Sequence, residues 1–299
     1  MKKYQKYFLP AAIILLLTIF NSCNSDDSVS ILTKIQTSYK DGQPFWSPNG
    51  SKMIYYSGDN ESGVYALDMD GLNAKNKRYI GNIKILTLAD NGSSLIYHSY
   101  NHGYYKRKIE GDTNSVQISP PSVTQFPITS LSKDGQWFVY ADYDKGEHSV
   151  WKVKVDGTKK KKFFSTRIDG EIRDLQWFPD GIRLSAIRYF SADNNPNGQI
   201  AIIDTNGNSL AALTNTFEYK RDPELSPDGN YVAYAVDRYP RTAIFIVKTD
   251  GSEIRELTFG YIIDPKWNAN STHVTYTSGI DGRIWAAPIS GGSHIKITE

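Results

Sequence analysis

A short turn recurs along this chain as Ser47-Pro48-Asn49-Gly50, Ala89-Asp90-Asn91-Gly92, Ser132-Lys133-Asp134-Gly135, Phe178-Pro179-Asp180-Gly181 and Ser226-Pro227-Asp228-Gly229, with a degenerate sixth copy at Asn268-Ala269-Asn270-Ser271. Between their final residues the steps are 42, 43, 46, 48 and 42 residues. A period of about 40 to 50 residues marks a propeller or solenoid, because each unit is one small sheet that cannot bury both of its faces alone.

Side-chain types repeat around that reference residue. Four positions before it stand Trp46, Leu88, Leu131, Trp177, Leu225 and Trp267; three after it Met53, Leu95, Phe138, Leu184, Val232 and Val274; five after it Tyr55, Tyr97, Tyr140, Ala186, Tyr234 and Tyr276. A spacing of two on one side of a turn is one face of a strand, so each turn joins two strands of a hairpin. Asn-Gly and Asp-Gly supply the positive backbone angles such turns require. About 20 residues further on, every unit has a second turn, at Asp70-Gly71, Glu110-Gly111, Asp156-Gly157, Asn206-Gly207, Asp250-Gly251 and Ser290-Gly291. The strand before it carries Tyr65, Tyr105, Trp151, Ala201, Phe245 and Trp285 in register.

Each unit is then four antiparallel strands, and the fold class expected is all-β: a six-bladed β-propeller with blades at approximately 44–80, 85–119, 128–165, 174–214, 222–258 and 264–299. A β-sandwich accommodates six in-phase copies of one unit poorly. The aromatic content of 13%, with 20 Tyr and 6 Trp against 3 Met, suits sheets. The repeated Trp and Tyr residues are read as packing between blades, not as ligand contacts.

The segment before the repeats reads as an export signal. It has a basic start, an apolar run from Phe8 to Phe20 and then Asn21-Ser22-Cys23, and Cys23 is the only cysteine of the chain. At 13 residues the run is short for a bilayer span. This arrangement resembles a bacterial lipoprotein signal, which implies a signal peptide over 1–22, lipidation of Cys23, a polar tether over 23–30 and the propeller over 31–299. Asp26 and Asp27 after the cysteine resemble the surface-export signal of Bacteroidota lipoproteins, and Asp27-Ser28-Val29 the O-glycosylation motif of that phylum. An outer-membrane address, periplasm-facing or cell-surface exposed, is therefore expected. Without Lys2, Lys3 and Lys6, the 34 basic residues become 31 against 32 acidic ones, which gives no electrostatic case for nucleic acid. The run Lys159 to Lys162 is read as a solvated hairpin or a contact patch for an anionic surface.

Ser226-Pro227-Asp228-Gly229 with Tyr231-Val232-Ala233-Tyr234, then Ile244-Phe245-Ile246-Val247 and Asp250-Gly251, resembles the repeat of TolB-type propellers, and the resemblance covers nearly all of Pro44 to Glu299. Similar blades occur in prolyl oligopeptidase relatives and in oligogalacturonate lyases, so the repeat implies a fold and leaves function to the loops. Ser30-Ile31-Leu32-Thr33 resembles the blade endings Glu256-Leu257-Thr258 and Lys296-Ile297-Thr298, and is expected to pair with the last blade and close the ring.

In a four-stranded meander the first and third turns share one face, here the short Gly turns. The second turns and the links between blades share the other. The variable segments all fall on that second face: 189–198 and 237–242 among the turns, 119–127, 166–173 and 215–221 among the links. Tyr189, Asn194, Asn195, Tyr219, Arg221, Tyr239, Arg241 and Tyr261 populate it, and Tyr and Arg at a rim suit a protein or glycan interface. Seven positions before the reference, Asp174, Asp222 and Asp264 should ring the channel mouth with Arg173 and Arg221 beside them. Such carboxylates hold a cation, receive a basic peptide segment, or cap their own turns ahead of proline.

Catalytic motifs are absent from the sequence: no Gly-x-Ser-x-Gly, no His-Glu-x-x-His and no phosphate-binding Gly loop. His98, His102, His148, His273 and His294 are scattered, with only His98 and His102 placed to meet across a hairpin. The expected function is a non-catalytic adaptor without a cofactor, a channel cation left open, held to the membrane by lipid and binding an envelope protein. The alternative is a glycan-binding or glycan-cleaving lipoprotein, with no nucleic-acid partner in either case.

Overall fold

The computed structural model describes residues 41–299 apart from 48, 59–61, 84, 90–92, 100–102, 111–113, 119–128, 133, 135, 145–146, 157, 167–171, 190–196 and 206–207. Within them, six four-stranded antiparallel sheets follow one another along the chain. Blade 1 is β1 (Asp41–Trp46), β2 (Lys52–Ser57), β3 (Gly63–Asp70) and β4 (Asn73–Gly81); blade 2 is β5 (Ile85–Ala89), β6 (Ser94–Ser99), β7 (Gly103–Lys108) and β8 (Val116–Gln117). Blade 3 is β9 (Thr129–Leu131), β10 (Trp137–Asp144), β11 (Glu147–Lys154) and β12 (Lys161–Thr166); blade 4 is β13 (Ile172–Trp177), β14 (Arg183–Arg188), β15 (Gln199–Asp204) and β16 (Ser209–Ala212). Blade 5 is β17 (Lys220–Leu225), β18 (Tyr231–Arg238), β19 (Arg241–Lys248) and β20 (Ile254–Gly260); blade 6 is β21 (Ile262–Trp267), β22 (His273–Ser278), β23 (Ile284–Pro288) and β24 (Ile295–Lys296). The first strand of each blade touches the first strand of the next, and β1 touches β21, so the six sheets close around an axis. No helix occurs among the described residues.

The registers explain why the repeat carries these residue types. The apolar residue before each turn faces the one after it across the hairpin: Trp46 opposite Met53, Leu88 opposite Leu95, Leu131 opposite Phe138, Trp177 opposite Leu184, Leu225 opposite Val232 and Trp267 opposite Val274. Two residues on, Tyr55 faces Tyr65, Tyr97 faces Tyr105, Tyr140 faces Trp151 and Tyr234 faces Phe245. The Tyr97–Tyr105 and Tyr234–Phe245 rings both stack with centroids 5.7 Å apart. Cross-strand ring pairs of this kind stabilise a sheet beyond their area.

The turn motif has its own chemistry. In Ser226-Pro227-Asp228-Gly229 the Ser226 hydroxyl donates to Asp228 Oδ1 at 2.6 Å and accepts the Tyr231 amide at 2.9 Å. Ser47 with Asn49 and Ser132 with Asp134 repeat the arrangement. The degenerate sixth copy has Ser271 in the left-handed region, at φ 57°, where glycine is usual. Its hydroxyl accepts the Asp228 amide of blade 5 at 3.0 Å, so the departure from the motif ties two blades together.

Closure between blades 1 and 6 uses both core and charge. Met53, Tyr55, Leu67 and Met69 pack with Ile284, Ala286 and Ile297. The Asp41 amide donates to Gly282 O at 2.8 Å, and the fully buried Asp41 carboxylate receives Arg283 Nη1 at 3.0 Å and the Ser57 hydroxyl at 2.8 Å. Blade 6 has four strands of its own, all from the end of the chain. The expected pairing of Ser30 to Thr33 lies outside the described residues, as do Cys23 and the tether.

Candidate functional site

The innermost strands of blades 1, 4, 5 and 6 share one irregularity. Pairing slips between Gly42 and Phe45, Arg173 and Gln176, Arg221 and Glu224, and Ile263 and Lys266. At each slip one residue takes a left-handed conformation: Gln43 (φ 52°), Asp174 (54°), Asp222 (51°) and Asp264 (56°). Aspartate tolerates this region better than most residues, and a bulge re-aims the side chain it carries. Strained backbone repeated at one level of a ring is the sort that persists at functional sites. The three aspartates therefore stand on equivalent bulges at the end of the channel where the blade links enter.

Their environments are graded. Asp174 is exposed, while Asp222 and Asp264 are half-buried. Asp222 Oδ2 receives Arg221 Nη1 at 2.5 Å, and Arg221 also reaches Asp237 Oδ1 at 3.0 Å and Thr242 Oγ1 at 3.3 Å. Burial opposes the Arg221 charge, but Asp222 and Asp237 more than offset it and hold the guanidinium above its usual range. Asp264 Oδ2 accepts the Gln43 amide of blade 1 at 3.2 Å. Burial and then the nearby Asp222 carboxylate push Asp264 up to about 6, against the pull of the Gln43 N–H and Arg221. Beside it Gly42 has no side chain to intervene; a Cβ there would lie 3.5 Å from Asp264 Oδ2 and 3.8 Å from Thr277 Oγ1. That buried Thr277 hydroxyl has no partner among the described residues. Asp222 and Asp264 thus bond to an arginine and to a neighbouring blade, rather than capping their own turns.

Two residues further along the same strands lies a layer that the sequence reading passed over: Phe45, Ser130, Gln176, Glu224 and Lys266. Lys266 Nζ pairs with Glu224 Oε1. Gln176 Nε2 donates to Glu224 Oε2 at 2.9 Å and to Pro223 O at 3.0 Å, and Gln176 Oε1 accepts the Leu225 amide at 2.5 Å. Burial pulls Lys266 down to about 8 against the upward pull of Asp222 and Asp174. The signal for this layer was present: the residue five before the turn lies on the opposite face of the strand from the residue four before it and so faces the other neighbouring blade, as Phe45 does toward blade 2 while Trp46 packs toward blade 6. On the short-turn side the layer floors a cavity of about 550 Å³, walled by Trp46, Trp177 and Trp267, so these core tryptophans also border open space.

Gln176 is the one side chain that fixes blade 4 to blade 5 in this layer through both ends of its amide. Gln176→Leu is expected to cost about 2 kcal/mol, because the Leu225 amide loses its acceptor and Glu224 one of its donors. Urea unfolding of the two proteins checks it, and an unchanged midpoint would show the layer to be dispensable.

The rim surrounds the mouth. Tyr239 is 74% and Tyr219 46% exposed, joined by Phe217 at 72% and Ile280 at 82%, which the sequence reading did not single out. Arg173 lies 5.2 Å over the Tyr189 ring, and the exposed Arg241 lies 5.5 Å over Phe259 and 5.8 Å over Tyr261. Arg238 bridges Glu218 at 3.0 Å and Glu256 at 2.9 Å. Asn194 and Asn195 fall outside the described residues.

Among the described residues no three His, Cys, Asp or Glu side chains come close enough to share a metal ion. The side chains of His98, His102 and His148 lie outside the description. His294 Nδ1 meets the Tyr276 hydroxyl at 2.6 Å and His273 Nδ1 the Thr272 hydroxyl at 3.0 Å, in separate places. Lys160 and Lys162 are exposed, yet their ammonium groups lie 4.4 and 5.8 Å from the Trp151 ring.

No protein-family model matches the chain, and no curated protein matches it. Solved structures do. An oligogalacturonate lyase in complex with manganese aligns at TM-score 0.61 and 12% identity, over 87% of this chain and 78% of the other. A putative TolB from Agrobacterium tumefaciens aligns at 0.59 and 16%, over 87% and 91%, and TolB from Acinetobacter baumannii at 0.53 and 16%, over 85% and 65%. The donor set that a manganese site requires does not occur among the described residues, and Asp222 and Asp264 are engaged by Arg221 and Gln43. At these identities the likeness is one of architecture, and the architecture is that of a TolB-like six-bladed β-propeller.

Proposed function

We propose that this chain is a binding propeller, held to the cell envelope by lipid on Cys23, whose variable-loop face captures a protein partner. One observation carries the reading. Four large apolar side chains stand exposed on the loops of blades 4 to 6: Phe217 and Tyr219 in the link between blades 4 and 5, Tyr239 and Ile280 on the second turns of blades 5 and 6. Exposed apolar residues scattered singly need no explanation, but grouped on the loops of one face and rimmed by Arg238, Arg241 and Glu218 they have the composition of an interface. The mouth supplies orientation through Asp174, Asp222 and Asp264, with Arg173 and Arg221 beside them, as the charged groups that a partner's polar side chains would meet. The TolB-like architecture agrees with a binding role and with an address in the envelope.

Crosslinking capture from intact cells tests this. Wild type should retain one defined envelope protein, and Asp174→Asn/Asp222→Asn/Asp264→Asn should lose it by at least about tenfold, since truncated hot-spot charges cost 2 kcal/mol or more. Retention of glycan in place of protein would favour the second reading, carbohydrate binding or cleavage. That reading draws on Asp264 held up to about 6 beside the Asp222 carboxylate, since glycan cleavage uses a pair of carboxyl groups.

A further inference from the structure

The chain is nearly neutral, with 34 basic and 32 acidic residues, yet one hairpin of blade 3 concentrates lysine. Lys152 and Lys154 on β11, then Lys159, Lys160, Lys161 and Lys162 at the third turn and the start of β12, fall within eleven residues. Several lysines elsewhere are paired: Lys52, Lys75, Lys248, Lys266 and Lys296 each reach a carboxylate. Among the described residues Lys152, Lys154, Lys159, Lys160 and Lys161 reach none. Two neighbouring acids act on Lys152 and Lys154 through their charge but bond within their own turns. Asp134 accepts the Ser132 hydroxyl and the Gln136 amide, and Asp156 accepts the Thr158 amide and hydroxyl.

Aromatic rings hold these lysines in place. Lys152 lies 4.4 Å over Trp137 and 5.1 Å over Trp177, Lys154 lies 5.9 Å over Trp137, and Lys160 lies 4.4 Å over Trp151. The charges are therefore set on an aromatic bed instead of sweeping freely through solvent. Burial is the main cause that disfavours the Lys152 charge, with Asp134 acting to favour it and Lys161 to oppose it.

We propose that this lysine hairpin docks the propeller on an anionic lipid surface. Two features favour lipid over an acidic protein. Lys161 and Lys162 open β12, the outermost strand of its blade, and as consecutive strand residues they point to its two faces, so the charge lines an edge. Tryptophans beneath lysines suit a headgroup interface. Because third turns lie on the side opposite the variable loops, docking here turns the partner-binding face away from the membrane.

Full-length protein with vesicles of phosphatidylglycerol and phosphatidylcholine in equal parts, or of phosphatidylcholine alone, tests it by lysine acetylation and mass spectrometry. Lys152, Lys154 and Lys159 to Lys162 should be protected about fivefold or more by the anionic vesicles only, and Lys75 and Lys248 unaffected; a lysine at an anionic surface is worth about that factor. High salt should abolish the protection. In Lys159→Gln/Lys160→Gln/Lys161→Gln/Lys162→Gln, Lys152 and Lys154 remain as reporters and should become as reactive as without anionic lipid. Equal labelling in both vesicles overturns the proposal, as does protection that appears only when an acidic protein is added.

Discussion

Arg283→Leu is expected to destabilise the propeller by about 3–5 kcal/mol, the range for stranding one partner of a buried ion pair. The Asp41 side chain is 1% exposed and that of Arg283 15%, so solvent screens neither well. With the guanidinium gone, Asp41 keeps the Ser57 hydroxyl but has no positive charge to offset its desolvation. The pair also sits where the ring joins, between the first strand of blade 1 and the β22–β23 turn of blade 6, so its loss is felt at the seam and not inside one blade. Thermal unfolding should fall by roughly 10 °C for a domain of this size. The control is Asp41→Asn/Arg283→Leu, which removes the stranded charge and keeps an acceptor for Ser57. It should recover at least half of the loss, as replacing a whole buried pair often costs little. A single variant as stable as wild type would show that Met53, Leu67, Ile284 and their neighbours close the ring unaided.

Arg283 also marks where the sequence stops being legible. The hairpin pairs could be read because strand periodicity and the turn residues fix register locally: Trp46 had to face Met53, and Tyr234 had to face Phe245. Asp41 and Arg283 meet across 242 positions with no repeat to announce them. The three aspartates were legible by phase, and their level on the inner strands follows from the same count. Their left-handed backbone was not, since a bulge in the innermost strand leaves no mark beyond an Asp-Pro or Asp-Leu step that ordinary turns also use. The Lys266, Glu224 and Gln176 layer could have been found by shifting the count one residue, but nothing local pairs an ammonium in blade 6 with a carboxylate in blade 5. Phe217 and Ile280 lie in loops whose face was inferable; whether an apolar loop residue folds inward or stands in water is decided by the neighbours it meets, and the sequence does not specify them.

Asp264→Asn is expected to stabilise the protein at neutral pH while impairing capture of the partner. Wild-type Asp264 titrates near 6 when folded, against 3.8 as its ordinary value. Between those values the folded state holds a proton that the unfolded chain has released, so this residue's contribution to stability falls as pH rises through the window. Above about pH 6.5 the folded protein carries the full cost of an ionised carboxylate beside Asp222, about 2 kcal/mol once solvent screening is allowed for. Asparagine carries no such cost, accepts the Gln43 amide through its carbonyl and tolerates the φ of 56° found here. Near pH 4 the two proteins should be equally stable, and by pH 7.5 the variant should lead by that amount in urea unfolding. The comparison must be made between proteins at each pH, because Asp68, Asp228 and Asp281 are held below their ordinary range and gain stability as pH rises through theirs. A variant that is more stable yet captures less partner is the trade expected where a carboxylate is retained for binding at the expense of the fold. If the variant lost stability at every pH, Asp264 would be a structural residue of the blade 1 to blade 6 seam, and the binding role of the mouth would rest on Asp174 and Asp222 alone.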